Sequence, residues 1–150
     1  MNDRFILLVE DNPSDIALTK RAVTKNMASQ RMVVVEDGQE AVDFLFAAGK
    51  YQERDRFDLP SLVLLDMNLP KLDGVEVLRR VRSNPVTRRL PVVILSSSVE
   101  ERDLSRSYDL GVNSYIRKAV DYTQFSEYMK CLSFYWLTIN EAPPTNTSAI

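Results

Sequence analysis

Five short apolar runs punctuate the chain: FILLV at 5–9, MVVV at 32–35, LVLL at 62–65, VVIL at 92–95 and the weaker YI at 115–116. They are β-branched or leucine-rich and do not alternate with polar residues. Strands buried on both faces read this way, and such strands sit in parallel sheets. Helical patterns lie between them. Asn12-Pro13-Ser14-Asp15 reads as a helix start, with Asn as cap, Pro at the first position and an acid in the first turn. That helix is expected to turn Ile16, Val23 and Met27 inward. A second carries Ala41, Val42, Leu45 and Phe46 at helical spacing. A third begins near Asp73 and includes Leu78 and Val81. The fourth spans about Glu100 to Leu110, with Gly111 as its C-terminal cap. The fifth starts near Asp121 and is expected to continue to about Asn140. Five βα units in succession predict an α/β protein with a doubly wound, parallel, five-stranded sheet.

The 150 residues suit one domain, expected over residues 1–140. GKYQERDRFDLP, residues 49–60, reads as a long polar loop. EAPPTNTSAI, residues 141–150, has two prolines and mostly small polar residues, and is expected to be a disordered tail.

Composition narrows the chemistry. A net charge of −2 offers no basic face for a phosphate backbone, so nucleic acid is not an expected partner. Arg79, Arg80, Arg82, Arg88 and Arg89 read as a solvated helix face. A single cysteine, Cys131, excludes an internal disulfide framework and fits a reducing cytoplasm. The N-terminal apolar run is too short for a signal peptide or a membrane span. Histidine is absent. That removes the commonest general base and metal ligand, and favours a hard, oxygen-ligated cation over zinc.

In an open parallel sheet, ligands bind outside the carboxyl ends of the strands. The first strand ends on Glu10-Asp11, the third on Asp66, the fourth on Ser96 with Ser97 and Ser98 behind it, and the fifth near Lys118. For a single acid, helix capping or turn formation is a sufficient explanation. Three carboxylates on one rim repel each other unless a cation joins them, and Lys118 alone neutralises only part of that charge.

The motifs LLVEDN (7–12), LLDMNLPKLDG (64–74), PVVILSS (91–97) and YIRK (115–118) resemble, in order and at the matching strand ends, the receiver domain of two-component response regulators. The resemblance spans about residues 4 to 140 and implies the flavodoxin-like receiver fold. It implies that Asp66 is the phosphoacceptor and that Mg²⁺ is held by Asp11 and Asp66, by Glu10 through water, and by the Asn68 carbonyl. Ser96 and Lys118 would bind the phosphoryl group, the backbone N–H groups of Met67, Asn68 and Ser97 would cradle it, and Ser96 and Tyr115 would act as the switch. VEDNPSD, the long loop and FYWL near the end resemble the single-domain regulators that partner phytochrome-type histidine kinases. A stand-alone regulator phosphorylated by such a kinase, signalling through protein contacts, is the expectation. Slow self-hydrolysis of the acyl phosphate would be its only turnover. One departure stands out: Ala119 follows Lys118 where the family has proline in a cis bond.

Two other readings compete. A pseudo-receiver, binding partners without phosphorylation, is favoured only by Ala119. A Mg²⁺-dependent phosphatase would want a second acid two residues after its nucleophile, and Asn68 stands there. On the fifth helix, Phe125, Met129, Leu132 and Trp136 form one stripe that covers the sheet. Tyr128, Cys131 and Tyr135, with Phe134 beside them, form a second. Snorkelling tyrosines would account for it. The resemblance implies instead a homodimer through the fourth helix, fifth strand and fifth helix.

Overall fold

The computed structural model describes residues 4–118 and 121–147. Its elements in chain order are β1 (Phe5–Val9), α1 (Pro13–Asn26), β2 (Arg31–Val35), α2 (Gly38–Phe46), β3 (Leu62–Asp66), α3 (Gly74–Ser83), β4 (Val92–Ser96), α4 (Glu101–Asp109), β5 (Ser114–Arg117) and α5 (Tyr122–Phe134). The strands lie in the order β2-β1-β3-β4-β5, every neighbouring pair parallel. The chain winds one way from β1 to β2 and the other way from β3 to β5. The direction therefore switches between β1 and β3, the place where such sheets open a ligand crevice.

Apolar runs without alternation have a direct cause here. Phe5, Leu7 and Val9 point into one core with Val63, Leu65, Ile94, Leu78 and Val81, on the side of α2 and α3. Ile6 and Leu8 point into the other, with Leu62, Leu64, Val93, Leu95, Val23 and Met129, on the side of α1 and α5. Both faces are covered, so every residue of β1, β3 and β4 is buried. Ile16 and Met27 are only partly buried at the rim of the second core, whereas Thr19 and Ala22 of α1 are fully inside.

Helix starts follow the expected chemistry. Asn12 accepts hydrogen bonds from the Ser14 and Asp15 backbone N–H groups at 2.9 and 3.1 Å. Asp37 and Asp73 cap α2 and α3 through the Glu40 and Glu76 N–H groups. Gly111, at φ +91°, closes α4 in the left-handed region.

The structure departs from expectation at three places. α5 ends at Phe134 and passes into one wide turn over Tyr135–Ile139, closed by the Asn140 N–H on the Tyr135 carbonyl at 2.7 Å. The extra residue in that turn rotates the register. Leu137 takes the buried position, Trp136 is left partly exposed, and the Arg4 guanidinium holds the Leu137 carbonyl at 2.6 Å. The loop before β3 is organised: Gly49–Tyr51 makes a short tight helix, Tyr51 donates to Glu40 at 2.6 Å, and Arg54 stacks over Phe44 while donating to the Phe44 and Asp58 carbonyls. Arg82 is no solvated arginine: it donates to the Gly111, Arg88 and Leu90 carbonyls and to Asn113, fastening α3 to the edges of β4 and β5. Residues 141–147 form no helix or strand, and contact the body where Arg89 meets the Pro144 carbonyl and Asn146 the Pro85 carbonyl, both at 3.2 Å. No helix among the described residues is long and apolar enough to cross a membrane.

Candidate functional site at the carboxyl ends of the strands

β3 carries Asp66 as its last residue, and β1 is followed at once by Glu10 and Asp11. These strands are neighbours, with Val9 opposite Leu65, so their ends deliver the acids side by side. One carboxylate oxygen from each of Glu10, Asp11 and Asp66 lies within 4.8 Å of the others. Glu10 and Asp66 are buried, and Asp11 is exposed.

Lys118 closes the cluster. Its backbone N–H is held by the Ser96 carbonyl at 2.8 Å, which fixes the root of the side chain at the end of β5. The side chain then lies across the ends of β4 and β3. Its ammonium reaches Glu10 at 3.0 Å, Asp15 at 2.9 Å and Asp66 at 3.2 Å. Burial pushes the Asp66 carboxyl above its ordinary range; Lys118 opposes the rise, and Asp11 and Asp15 add to it. Glu10 is raised likewise by burial, with Asp66 adding and Lys118 opposing. Burial alone would lower the Lys118 ammonium, but its bonds to Asp15 and Glu10 and the charge of Asp66 outweigh that and hold it well above its ordinary value. One ammonium thus pairs with three carboxylates, and a fourth, Asp11, lies beside two of them. The excess negative charge, all on oxygen, is what a hard divalent cation would neutralise.

The turn after Asp66 is tightly packed. Met67 is buried and Asn68 exposed. The Gly74 N–H bonds the Met67 carbonyl at 2.9 Å. A methyl group on Gly74 would stand 2.5 Å from the Asp66 carbonyl oxygen and 2.8 Å from the Met67 Cα. Only glycine lets α3 start so close to the end of β3. Gly38, the first residue of α2, is pressed in the same way against the Leu72 backbone and donates to the Pro70 carbonyl at 3.3 Å.

On the other side, Ser96 is buried and its hydroxyl accepts from the Ser98 N–H at 3.1 Å. Ser98 in turn donates to Asp103 of α4 at 2.7 Å, and its carbonyl accepts the Tyr115 hydroxyl at 2.7 Å. Tyr115 is half-buried and tied to the loop after β4. Met67, Asn68, Ser96 and Ser98 line a common crevice with Asp73, Arg102, Asp103 and Arg106. Ser97 is exposed beside it. Tyr128, Cys131 and Phe134 lie far along α5, and Tyr135 begins the wide turn after it: Phe134 is 54% exposed and Tyr135 46%. Ala119 falls outside the described residues.

Sequence reasoning did not single out Asp15, Gly38, Gly74 or Ser98 for the site. Asp15 stands one helical turn beyond Asp11, at the end of α1 that faces the site, and that spacing was a usable signal.

The chain belongs to the response regulator receiver domain family, whose model matches residues 6–130. It is 37% identical over 134 residues to the response regulator Rcp1 of Synechocystis sp., covering 89% of each chain. The Mn²⁺-bound structure of Rcp1 superposes with a TM-score of 0.85 at 36% identity, over 93% of this chain and 99% of that one. The phosphorylated cyanobacterial phytochrome response regulator RcpA gives a TM-score of 0.86 at 42% identity, over 93% and 98%. The bacteriophytochrome response regulator AtBRR is 47% identical with a TM-score of 0.72, over 92% and 98%. Membership places the chain in two-component signalling, with a histidine kinase as its partner. The acidic cluster Glu10, Asp11 and Asp66 has the donor set of a divalent-metal site.

Proposed function

We propose that Asp66 accepts a phosphoryl group from a phosphohistidine on a phytochrome-type sensor kinase. The observation that carries this reading is the Lys118 ammonium, 3.2 Å from Asp66 at the topological switch point and within the acidic cluster. The chain has no histidine, so the donor comes in trans. An Asp66 carboxylate oxygen attacks phosphorus, the O–P bond forms, the N–P bond breaks, and its electron pair stays on the donor imidazole. Lys118 offsets charge on the transferring oxygens, and the Met67, Asn68 and Ser97 N–H groups donate to them. Glu10, Asp11, Asp66 and the Asn68 carbonyl would hold Mg²⁺, which when bound supplies further neutralisation of that charge. Incubation with a phosphorylated phytochrome-type kinase from the same genome tests the reading. Transfer of label to this chain, lost in Asp66→Asn, is expected, and an unlabelled wild-type chain overturns it.

The acceptor is linked to the surface through Ser96, Ser98 and Tyr115. After transfer, the Ser96 hydroxyl donates to the phosphoryl group and gives up its bond from the Ser98 N–H. That loosens the loop holding Tyr115 and shifts the packing of α4, β5 and α5. Exposed Tyr128, Cys131 and Tyr135 line a shallow depression with Tyr115 and Trp136 on this face. A homodimer burying that stripe would couple self-association to phosphorylation, since aromatic residues suit interface cores.

A further inference from the structure

We infer that Asp15 is a positioning residue that competes with the phosphoryl group for Lys118. The inference rests on the reading of Asp66 as acceptor. Three facts carry it. First, the Lys118 ammonium sits 2.9 Å from Asp15, nearer than its 3.2 Å to Asp66. Second, Asp15 is held in place. Its own N–H donates to the Asn12 side chain at 3.1 Å, while the Asn12 N–H donates to Glu10 at 3.3 Å, so one short backbone segment presents two carboxylates to the same ammonium. Third, Asp15 is not walled in. Its side chain is 37% exposed against 8% for Asp66, so losing the lysine leaves it in contact with water at small cost.

An ammonium has three protons, and Glu10, Asp15 and Asp66 supply three acceptors. A phosphoryl group on Asp66 adds oxygens that want the same donor. Glu10 is buried, so water cannot replace Lys118 there as it can at Asp15. Asp15 is therefore the contact that breaks. In the unphosphorylated chain it clasps the end of β5 to α1. On phosphorylation Lys118 swings from Asp15 toward Asp66, and the clasp opens. Asp15 thereby weakens phosphoryl binding and sets the resting position of Lys118.

Beryllofluoride, a phosphoryl mimic, tests this with bound fluoride followed by ¹⁹F NMR at saturating Mg²⁺. Asp15→Asn is expected to bind the mimic several-fold more tightly than wild type, and Asp15→Glu to return toward the wild-type affinity. Asp73→Asn is the charge control. It removes an acid from the opposite rim of the crevice, where Asp73 caps α3 and an asparagine caps equally well. If Asp15→Asn and Asp73→Asn tighten binding equally, the effect is general charge and the inference fails. Unchanged or weaker binding in Asp15→Asn overturns it as well. A wild type that does not bind the mimic at all would instead defeat the reading of Asp66 as acceptor.

Discussion

The Tyr115 hydroxyl lies 3.4 Å from the sulfur of Met67, the residue that follows Asp66. The same hydroxyl donates to the Ser98 carbonyl at 2.7 Å, and buried Ser107 of α4 approaches the same sulfur at 3.9 Å. One tyrosine thus touches the residue after Asp66 and the loop after β4. Tyr115→Phe keeps the ring and removes the hydroxyl. It should cost about 1 kcal/mol of stability. It should leave phosphorylation of Asp66 in place while weakening the effect of phosphorylation on self-association, read by sedimentation with and without beryllofluoride. Full retention of that effect would remove Tyr115 from the switch.

Buried negative charge at the site opposes folding when no metal is present. Asp66→Asn removes one carboxylate whose burial is unfavourable and leaves Lys118 with Glu10 and Asp15. In metal-free buffer near neutral pH the variant should melt higher than wild type, by about 2–4 °C for each kcal/mol gained. Added Mg²⁺ should raise the wild-type melting temperature more than the variant's. A larger Mg²⁺ effect in the variant would contradict the cluster.

The close approach at Gly74 gives a sharper mutation. An alanine methyl cannot fit 2.5 Å from the Asp66 carbonyl oxygen, so α3 or the end of β3 must move. Gly74→Ala should destabilise by about 1–3 kcal/mol. It should also slow phosphorylation if Asp66 is the acceptor, because the shift falls on Asp66 itself. Denaturant titration and acetyl phosphate kinetics check both parts.

A pH effect should appear away from the site. Burial alone would raise the Glu40 carboxyl, but hydrogen bonds from Tyr51, the Glu36 N–H and Lys50 outweigh it and hold the group below its ordinary range. A lowered carboxyl contributes stability above its unfolded value of about 4.3, and that stability is lost as pH falls through the folded value. Wild type should therefore exceed Glu40→Gln in stability at pH 7, with the gap closing in acid. A gap that is constant with pH would show that the charge is not the cause.

The α5 stripe predicts self-association. Tyr128→Asp or Tyr135→Asp should shift a dimer to monomer without lowering the melting temperature of the monomer, since both tyrosines are exposed on one chain. Wild type sedimenting as a monomer at tens of micromolar, with and without beryllofluoride, would defeat the dimer.

Much of this arrangement was legible in the residues. Strands covered on both faces cannot alternate, so each left a continuous apolar run. The residue ending each run fell on one edge of a parallel sheet, which is why Glu10, Asp11, Asp66, Ser96 and Lys118 could be grouped before any coordinates. What stayed hidden depends on how the elements pack. Lys118 meets Asp15 because α1 and α5 pack side by side on one face of the sheet, which brings the start of α1 within reach of the lysine at the end of β5. The start of α3 near Asp73 was legible, but the reason a glycine follows Asp37 and Asp73 was not. In the fold each acid caps a helix start, with glycine demanded by a neighbouring backbone. The wide turn at Tyr135–Ile139 leaves no mark in the apolar period, so Trp136 was assigned the buried place that Leu137 occupies.

The most direct test of the account is the intact mass of the chain after incubation with acetyl phosphate and Mg²⁺. Wild type should gain one phosphoryl group, mapped to Asp66 by peptide analysis after borohydride reduction, and Asp66→Asn should gain none. A wild type that stays unmodified, or a variant that accepts the group as fully as wild type, would contradict it.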